Sequence, residues 1–110
     1  MTLSERQRLF AKLVPRLIDK IYSSGDECTL GEALRTQEMA DLYAKQGKGI
    51  KNSLHLKKLA IDLNLFKGGQ YVSDTEAHRP YGEFWETLHP RCRWGGRFKD
   101  GNHYELQEGD

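Results

Sequence analysis

Two short segments of the chain carry the residue types that could bind a single metal ion. The first holds His55 and, seven positions later, Asp62, and the second holds Asp100 and His103. Seven residues span about 23 Å in a strand and about 10.5 Å in a helix, whereas the ligands of one zinc ion lie about 2.0–2.2 Å from the metal. If His55 and Asp62 bind one ion, the chain must turn between them, and we expect that turn at Lys57–Lys58.

These residue types are typical of a catalytic zinc site. His55, Asp62 and His103 would supply three protein ligands and leave a fourth position for water, whereas structural sites are usually closed by four ligands and rich in cysteine. Asp100 lies three residues before His103, which suits a general base that takes a proton from the attacking water. Four histidines in 110 residues are nevertheless an ordinary number. On spacing alone, a surface location for them is the default interpretation.

A longer pattern of residues carries a family resemblance. Ser53-x-His55 and Ala60-x-Asp62 are followed by Trp94-Gly95-Gly96, Phe98 and Asp100-x-x-His103-Tyr104-Glu105. Over most of its length the chain therefore resembles the family of zinc D-alanyl-D-alanine carboxypeptidases and phage L-alanyl-D-glutamate endolysins, which have the hedgehog/D-Ala-D-Ala peptidase fold. The resemblance implies a zinc peptidase that hydrolyses the stem peptides of bacterial peptidoglycan.

The resemblance also implies roles for individual residues. It makes the two histidines and the aspartate named above zinc ligands, and it makes Asp100 the catalytic base. Arg35 matches an arginine that the family places near the metal, where it binds a substrate carbonyl or carboxylate and steadies the oxyanion. Ser53 would help to position substrate. The family's glycine falls at Lys58, which we interpret as a slightly different turn rather than a damaged site.

Two further candidates follow from local patterns near the C-terminus. A final strand over 102–106 would place His103 and Glu105 on one face, so that Glu105 could orient the imidazole from the second shell. The glycine-containing segment that begins at Trp94 reads as a loop whose aromatic residues form a wall of the site. This makes Trp94 a candidate substrate contact, although core filling explains Trp94 equally well.

The N-terminal part of the chain is predicted to be an amphipathic helix over Leu3–Tyr22. Its apolar residues recur at intervals of three and four, as they do on the buried face of a helix. Ser4 is the predicted N-cap, in a capping box with Gln7. Pro15 should kink this helix or divide it in two.

The sheet is predicted from alternation and turn residues. Leu59–Phe66 puts apolar residues on one face and places Asp62 between a small residue and an amide on the other, as expected for the floor of a site. Lys67–Gln70 contains two glycines and predicts a hairpin turn. Glu27–Leu34 predicts a further strand. The fold class is therefore α+β, a small antiparallel sheet that carries the zinc site and packs against a few helices.

Two more helices are predicted beyond the N-terminal one. The first runs from Thr36 to Lys45, and the second runs from Tyr81 to Leu88 after a polar connection over 73–80. His78 lies in that connection and has no partner at a spacing typical of a metal site. We therefore predict that His78 lies on the surface or at the rim of the substrate site.

Length and charge narrow the possible functions. The chain has 110 residues and a formal net charge of +1, which indicates one domain, with an N-terminal helical segment at 1–24 and a tail at 107–110. No segment of the chain reaches the roughly 18 consecutive apolar residues needed to span a membrane. The first residues contain no apolar stretch, so we do not expect a secretory signal there. We expect a monomer that stays in the cytoplasm until it is released to the cell wall. Cys28 and Cys92 are then expected to be free thiols.

Rival interpretations remain open from the sequence. A non-catalytic binding domain on the same fold, with or without zinc, is favoured by Lys58 in place of glycine and disfavoured by the presence of Asp100. A nucleic-acid-binding module would use the lysines between 45 and 58, but the near-neutral charge argues against it. Among peptidases, the missing secretion signal favours cleavage of L-Ala–D-Glu over D-Ala–D-Ala by analogy with endolysins.

Overall fold

The fold is an antiparallel sheet with amphipathic helices on its apolar face. The structure, a computed structural model, describes residues 1–31, 42 and 54–108. The helices are α1 (Leu3–Ser23) and α2 (Thr75–Leu88). The strands are β1 (Glu27–Leu30), β2 (Ala60–Lys67), β3 (Gln70–Val72), β4 (Cys92–Trp94) and β5 (His103–Leu106). The predicted α+β fold class is confirmed.

β2 is the strand on which the sheet is built. It pairs with β1 on one side and with β5 and β3 on the other, and β4 pairs with β5; all four pairings are antiparallel. The β2–β3 pair closes through Lys67 and Gln70, so the predicted hairpin is confirmed. Asp62 lies opposite His103 in the register between β2 and β5. The sheet therefore brings together two candidate ligands that are 41 positions apart in sequence.

The two faces of β2 have different roles. The apolar residues at alternate positions are buried, while Asp62, Asn64 and Phe66 on the other face are only partly buried. This is the alternation predicted from the sequence, and it separates the core from the site. The core lies between the apolar face and the helices. It consists of Phe10, Leu13, Leu17, Ile21, Leu59, Ile61, Leu63, Leu65, Tyr81, Trp85, Cys92, Trp94, Tyr104 and Leu106.

α1 begins at Leu3, as predicted, but its N-cap differs from the prediction and the helix is not divided. Its N-cap is Thr2, whose hydroxyl accepts a hydrogen bond from the Glu5 amide, while the Glu5 carboxylate accepts one from the Thr2 amide. Ser4 is therefore not the cap. Pro15 lies inside one continuous helix, because buried residues on both sides of it pack into the same core and outweigh the loss of one backbone hydrogen bond.

α2 begins at Thr75, six residues before the predicted start, and contains Pro80. The predicted polar connection over 73–80 was therefore mostly wrong. His78 lies in the first two turns of α2 on the face that packs against the sheet, and only 2% of it is exposed. The prediction that His78 lies at the surface was wrong because that prediction started the helix too late.

Some predictions fall outside the described residues. These are Arg35, Ser53, the end of the predicted strand over Glu27–Leu34 and, apart from Leu42, the helix over 36–45. Within the described part, Cys28 and Cys92 are free thiols, as expected. None of the helices described there combines the length and the apolar character that crossing a membrane requires.

Candidate metal centre

A short 3-10 turn positions the first candidate ligand. Leu54–Lys57 forms this turn, and Lys58 follows it with φ of 58°, in the left-handed region. The backbone amides of Lys58 and Leu59 donate to the carbonyls of His55 and Leu54, which closes the turn. The turn predicted at Lys57–Lys58 is therefore present, and it directs a buried His55 toward β2.

The cluster of candidate ligands forms where β2 and β5 pair. His103 Nδ1 lies 3.3 Å from Asp62 Oδ1, and His55 Nε2 lies 3.4 Å from the same oxygen. One donor atom from each of the three residues lies within 4.8 Å of the other two. The structure therefore brings together the three residues that the sequence predicts as zinc ligands.

The spacing of these donors fits a zinc ion. Ligands at about 2.0–2.2 Å from a tetrahedral zinc ion lie about 3.3–3.6 Å from one another, and the two distances to Asp62 Oδ1 fall in that range. Two imidazole nitrogens and a carboxylate oxygen are also the donor set of open, catalytic zinc sites. His55, Asp62 and His103 could therefore hold a zinc ion with little movement of the chain.

The electrostatics of the cluster favour charge separation between the carboxylate and an imidazole. Burial opposes the charged form of Asp62, but hydrogen bonds with His103 and His55 outweigh it and lower the Asp62 pKa to about 2. Burial likewise opposes the imidazolium of His103, but hydrogen bonds with Asp62 and Glu105 raise its pKa to about 9. The site is therefore built to stabilise positive charge beside Asp62, as a cation-binding site requires.

Glu105 holds the ring of His103 from the side opposite Asp62. Its Oε1 lies 2.7 Å from His103 Nε2, and both side chains are largely buried. Nε2 of the ring therefore faces Glu105, and Nδ1 faces Asp62. The sequence predicted that Glu105 and His103 share a face, and the structure shows their direct hydrogen bond. This is the carboxylate–histidine arrangement that orients metal-ligating imidazoles.

Arg93 is a residue of the site that sequence reasoning missed. It lies opposite Glu105 in the β4–β5 register, and its Nε lies 3.2 Å from Glu105 Oε2. Its guanidinium also lies over the ring of Phe98, 4.6 Å from the centroid. No strand was predicted over Cys92–Trp94, and without that strand the sequence gives no reason to place Arg93 opposite Glu105.

Asp100 lies at the rim of the cluster. Its Oδ2 is 4.0 Å from His103 Nδ1, and about half of its side chain is exposed. Its backbone amide donates to Gly95 O, and its carbonyl accepts from the His103 amide. Gly95 makes this packing possible, because a Cβ there would lie 2.1 Å from Asp100 O and 2.7 Å from His103 Cβ. The carboxylate predicted as base is therefore next to the cluster and open to solvent.

The aromatic residues of the segment 94–98 lie in different environments, Trp94 in the core and Phe98 beside the metal cluster. Trp94 has no exposed surface, its Nε1 donates to Gly101 O, and its ring packs against Gly82 and Gly96. Of the two interpretations left open for Trp94, core filling fits this position, and direct substrate contact does not. Phe98 is 43% exposed and its ring lies edge-on to His103, with the centroids 5.6 Å apart.

Comparisons with known proteins support this picture of the fold. No curated protein sequence matches the chain. A solved structure of an L-Ala D-Glu endopeptidase from Serratia marcescens, ChiX, is similar in fold, with a TM-score of 0.70 and 18% identity, over 94% of this chain and 85% of that chain. A family model described as D-alanyl-D-alanine carboxypeptidase matches residues 46–106, which include every described residue of the cluster. The chain therefore belongs to this family of peptidases.

Proposed function

We propose that the protein is a zinc metallopeptidase that hydrolyses peptidoglycan stem peptides at the L-Ala–D-Glu bond. Membership of a peptidase family supports hydrolysis of a peptide bond. The likeness in fold to an L-Ala D-Glu endopeptidase supports the choice of bond. The alternative is cleavage of the terminal D-Ala–D-Ala bond, which the description of the family favours. We further propose that the enzyme acts on the wall after release from the cytoplasm, as a phage endolysin does.

The observation that carries this proposal is the spacing of the three candidate ligands. His55 and His103 present their nitrogens to one oxygen of Asp62 at 3.4 and 3.3 Å. A solvated surface cluster has no reason to hold two imidazoles against one carboxylate, and both histidines are buried. Desolvation of such groups is unfavourable unless they are paired or bind a metal. This arrangement supports a resident zinc ion.

The chemistry divides between the metal and the side chains around it. Zinc held by His55, Asp62 and His103 would polarise the scissile carbonyl and lower the pKa of the attacking water. Asp100, exposed at the rim, accepts the proton of that water and returns it to the leaving amine. Arg35, assigned from the sequence pattern, would bind the substrate carbonyl or carboxylate and stabilise the oxyanion.

Glu105 and Arg93 would support this chemistry from behind the ligand. Glu105 accepts a hydrogen bond from His103 Nε2, which keeps Nδ1 directed to the metal position. Arg93 lies against the far oxygen of Glu105, which holds that carboxylate in place. Neither residue needs to touch substrate, and both act by fixing the orientation of His103.

The test compares wild-type protein with Asp100→Asn on purified peptidoglycan, with zinc content measured in each sample. We expect wild type to hold zinc and to release new amino termini. Asp100→Asn should keep its zinc and lose roughly 10²- to 10⁴-fold in rate, the usual contribution of a general base. Asp19→Asn, which changes an exposed aspartate of α1, is the matched control and should retain full activity.

Mass spectrometry of the products would name the bond. A new amino terminus on glutamate indicates L-Ala–D-Glu cleavage, whereas release of free D-alanine indicates the carboxypeptidase alternative. If zinc-loaded wild type cleaves neither sacculi nor isolated stem peptides, the catalytic proposal fails. A non-catalytic zinc-containing binding domain on the same fold would then explain the cluster better.

A further inference from the structure

An exposed aromatic pair lies on the hairpin at the far end of β2. Phe66 and Tyr71 are direct cross-strand partners in the β2–β3 register. Their ring centroids are 5.7 Å apart, and the planes are tilted by 57°. Tyr71 is 59% exposed although it is a large aromatic residue. We refer to Phe66 and Tyr71 together as the aromatic platform.

The aromatic platform lies on the same face of the sheet as the metal cluster. Side chains alternate along a strand, so Asp62 and Phe66, four positions apart on β2, point to the same side. Tyr71 joins that side as the partner of Phe66. At about 3.3 Å per residue, the platform begins about 13 Å from Asp62. Among the described residues, one face of β2 therefore carries both Asp62 of the metal cluster and Phe66 of the aromatic platform.

The surface between the two features is polar. Asn64 lies between Asp62 and Phe66 on the same face, and its partner in the register with β1 is Thr29. Asn64 is partly buried and Thr29 is exposed. An amide and a hydroxyl therefore lie on this face between Asp62 and the platform, and Glu27 lies directly opposite Phe66 on β1. The amide and the hydroxyl could donate to and accept from the hydroxyl and acetamido groups of a sugar.

We propose that the aromatic platform binds the amino sugar that carries the stem peptide. This inference rests on the proposed function, and it assigns a second subsite to the same face. The C–H groups of a sugar ring carry partial positive charge and pack against the negative face of an aromatic ring. Tyr71 presents an exposed ring for such a contact, and Asn64 and Thr29 provide hydrogen-bonding groups on the same face, nearer to Asp62.

The distance from the platform to the metal cluster is comparable with the length of a stem peptide. In peptidoglycan the stem peptide begins at the lactyl group of the sugar, so the L-Ala–D-Glu bond is separated from the ring by one residue and the lactyl link, about 10 Å of chain. The D-Ala–D-Ala bond is three residues further away, about 10 Å more. The platform begins about 13 Å from Asp62, which lies between these two lengths, so the choice of bond rests on the analysis of the products.

The simpler role for the pair is to stabilise the hairpin. Aromatic cross-strand pairs contribute to sheet stability whatever they bind. That role predicts that truncation of Tyr71 affects all substrates alike through the stability of the fold. Sugar binding predicts an effect only on substrates that retain the sugar, which gives the two roles different kinetic signatures.

The experiment compares two soluble substrates, the disaccharide-peptide and the same peptide without sugar. We expect Tyr71→Ala to raise KM for the disaccharide-peptide by roughly three- to tenfold, the size of one lost ring contact, and to leave kcat and the sugar-free peptide unchanged. Tyr71→Trp should restore KM. Leu30→Ala, at another exposed apolar residue whose strand partner Leu63 points into the core, is the control and should change neither substrate. An equal effect of Tyr71→Ala on both substrates, or no effect on either, overturns the inference.

Binding without cleavage separates this inference from the proposed function. The probe is the disaccharide carrying a single L-alanine, which has no scissile bond, titrated into wild type and Tyr71→Ala by calorimetry. Weaker binding to Tyr71→Ala supports the platform even if wild type proves to cleave nothing. If wild type cleaves peptidoglycan but binds the probe no better than Tyr71→Ala does, the platform fails and the peptidase assignment stands.

Discussion

Strand β5 separates two buried histidines whose surroundings differ in charge. His103, on the site face, lies between the carboxylates of Asp62 and Glu105. On the core face, the next residue, Tyr104, meets His78 from α2, and His78 Nδ1 lies 3.1 Å from the Tyr104 hydroxyl. The two histidines are 7% and 2% exposed. Burial therefore does not distinguish them, and the partner groups must.

The partner groups give the two imidazoles opposite pKa shifts. Burial acts to lower the pKa of both histidines, and for His78 it outweighs the backbone hydrogen bond with Val72 and the charge of Asp74, which act to raise the pKa. For His103, the two carboxylates reverse the effect and raise the pKa to about 9. The comparison shows that a region becomes a candidate cation site through its carboxylates. The histidine alone is equally compatible with a neutral core position.

The largest difference between the two regions should be in metal binding. His103→Ala removes one of three ligands, and we expect zinc affinity to fall by more than the roughly 100-fold that loss of an outer partner can cause. His78→Gln should keep its zinc, since His78 faces the core. Competition with a chromogenic chelator measures both affinities, and circular dichroism checks that both variants fold. Zinc loss in His78→Gln, or retention in His103→Ala, would remove the distinction between the two regions.

A smaller effect on metal binding should follow from changing Glu105, the β5 residue that holds the ring of His103. Glu105→Gln keeps the size of the side chain but weakens its acceptor, so His103 loses its charged partner. We expect zinc affinity to fall by about 10- to 100-fold. Tyr104→Phe, one residue away on the opposite face, is the matched control and should leave zinc affinity unchanged. Equal affinities for Glu105→Gln and wild type would show that Glu105 does not orient the ligand.

The core histidine should appear in the pH dependence of stability. Because the pKa of His78 is lowered in the folded protein, the unfolded chain takes up the proton first as the pH falls. The protonation of His78 therefore does not affect the free energy of unfolding above pH 6.5, the ordinary pKa of histidine. As the pH falls below 6.5, the free energy of unfolding declines until the pH reaches the lower pKa of His78 in the folded protein. His78→Gln should lose about 1 kcal/mol at neutral pH and show a shallower decline in acid.

Urea unfolding of zinc-loaded wild type and His78→Gln at several pH values between about 8 and 5 measures this difference. Saturating zinc keeps the groups of the metal cluster in one protonation state, so the comparison isolates His78. Parallel declines in the two proteins would show that His78 does not titrate on unfolding in this range. The prediction would then be wrong, even if the variant is less stable at every pH.

The comparison also shows what the sequence could predict. The alternation along β2 and β5 placed Asp62, His103 and Glu105 correctly on one face, because a strand has a fixed period and glycines marked the hairpin. His78 was misplaced because residues 73–80 were predicted to be a polar connection, whereas the helix begins at Thr75 and continues through Pro80. A proline removes one hydrogen bond, and the packing of Tyr81 and Trp85 in the core outweighs that loss.

Arg93 illustrates a different limit of the sequence. Its contact with Glu105 depends on the register between β4 and β5, and a register of short strands is set by tertiary packing that no local pattern reveals. The same holds for Trp94, for which a core position and a site position fit the sequence equally well. The face of a strand on which a side chain lies was therefore predictable, because strands have a fixed period. Contacts between distant segments were mostly not predictable.

The smallest expected effect concerns the turn that carries His55 to the cluster. Lys58 has a φ of 58°, where glycine has no steric cost and other residues lose roughly 1–2 kcal/mol. Lys58→Gly should therefore raise the free energy of unfolding by up to about 1 kcal/mol, since part of the gain is offset by the freer unfolded chain. Zinc content should not change, because the turn already has the required shape.

Two other lysines test whether this gain comes from backbone strain. Lys99 also has a positive φ, of 65°, and immediately precedes Asp100, so Lys99→Gly should give a similar gain. Lys12 lies inside α1, where glycine costs about 1 kcal/mol, so Lys12→Gly should be destabilised. If Lys58→Gly is destabilised, as we expect for Lys12→Gly, then the Lys58 side chain stabilises the turn by more free energy than the strained backbone costs. The departure from the family's glycine would then be a stabilising adaptation of the site.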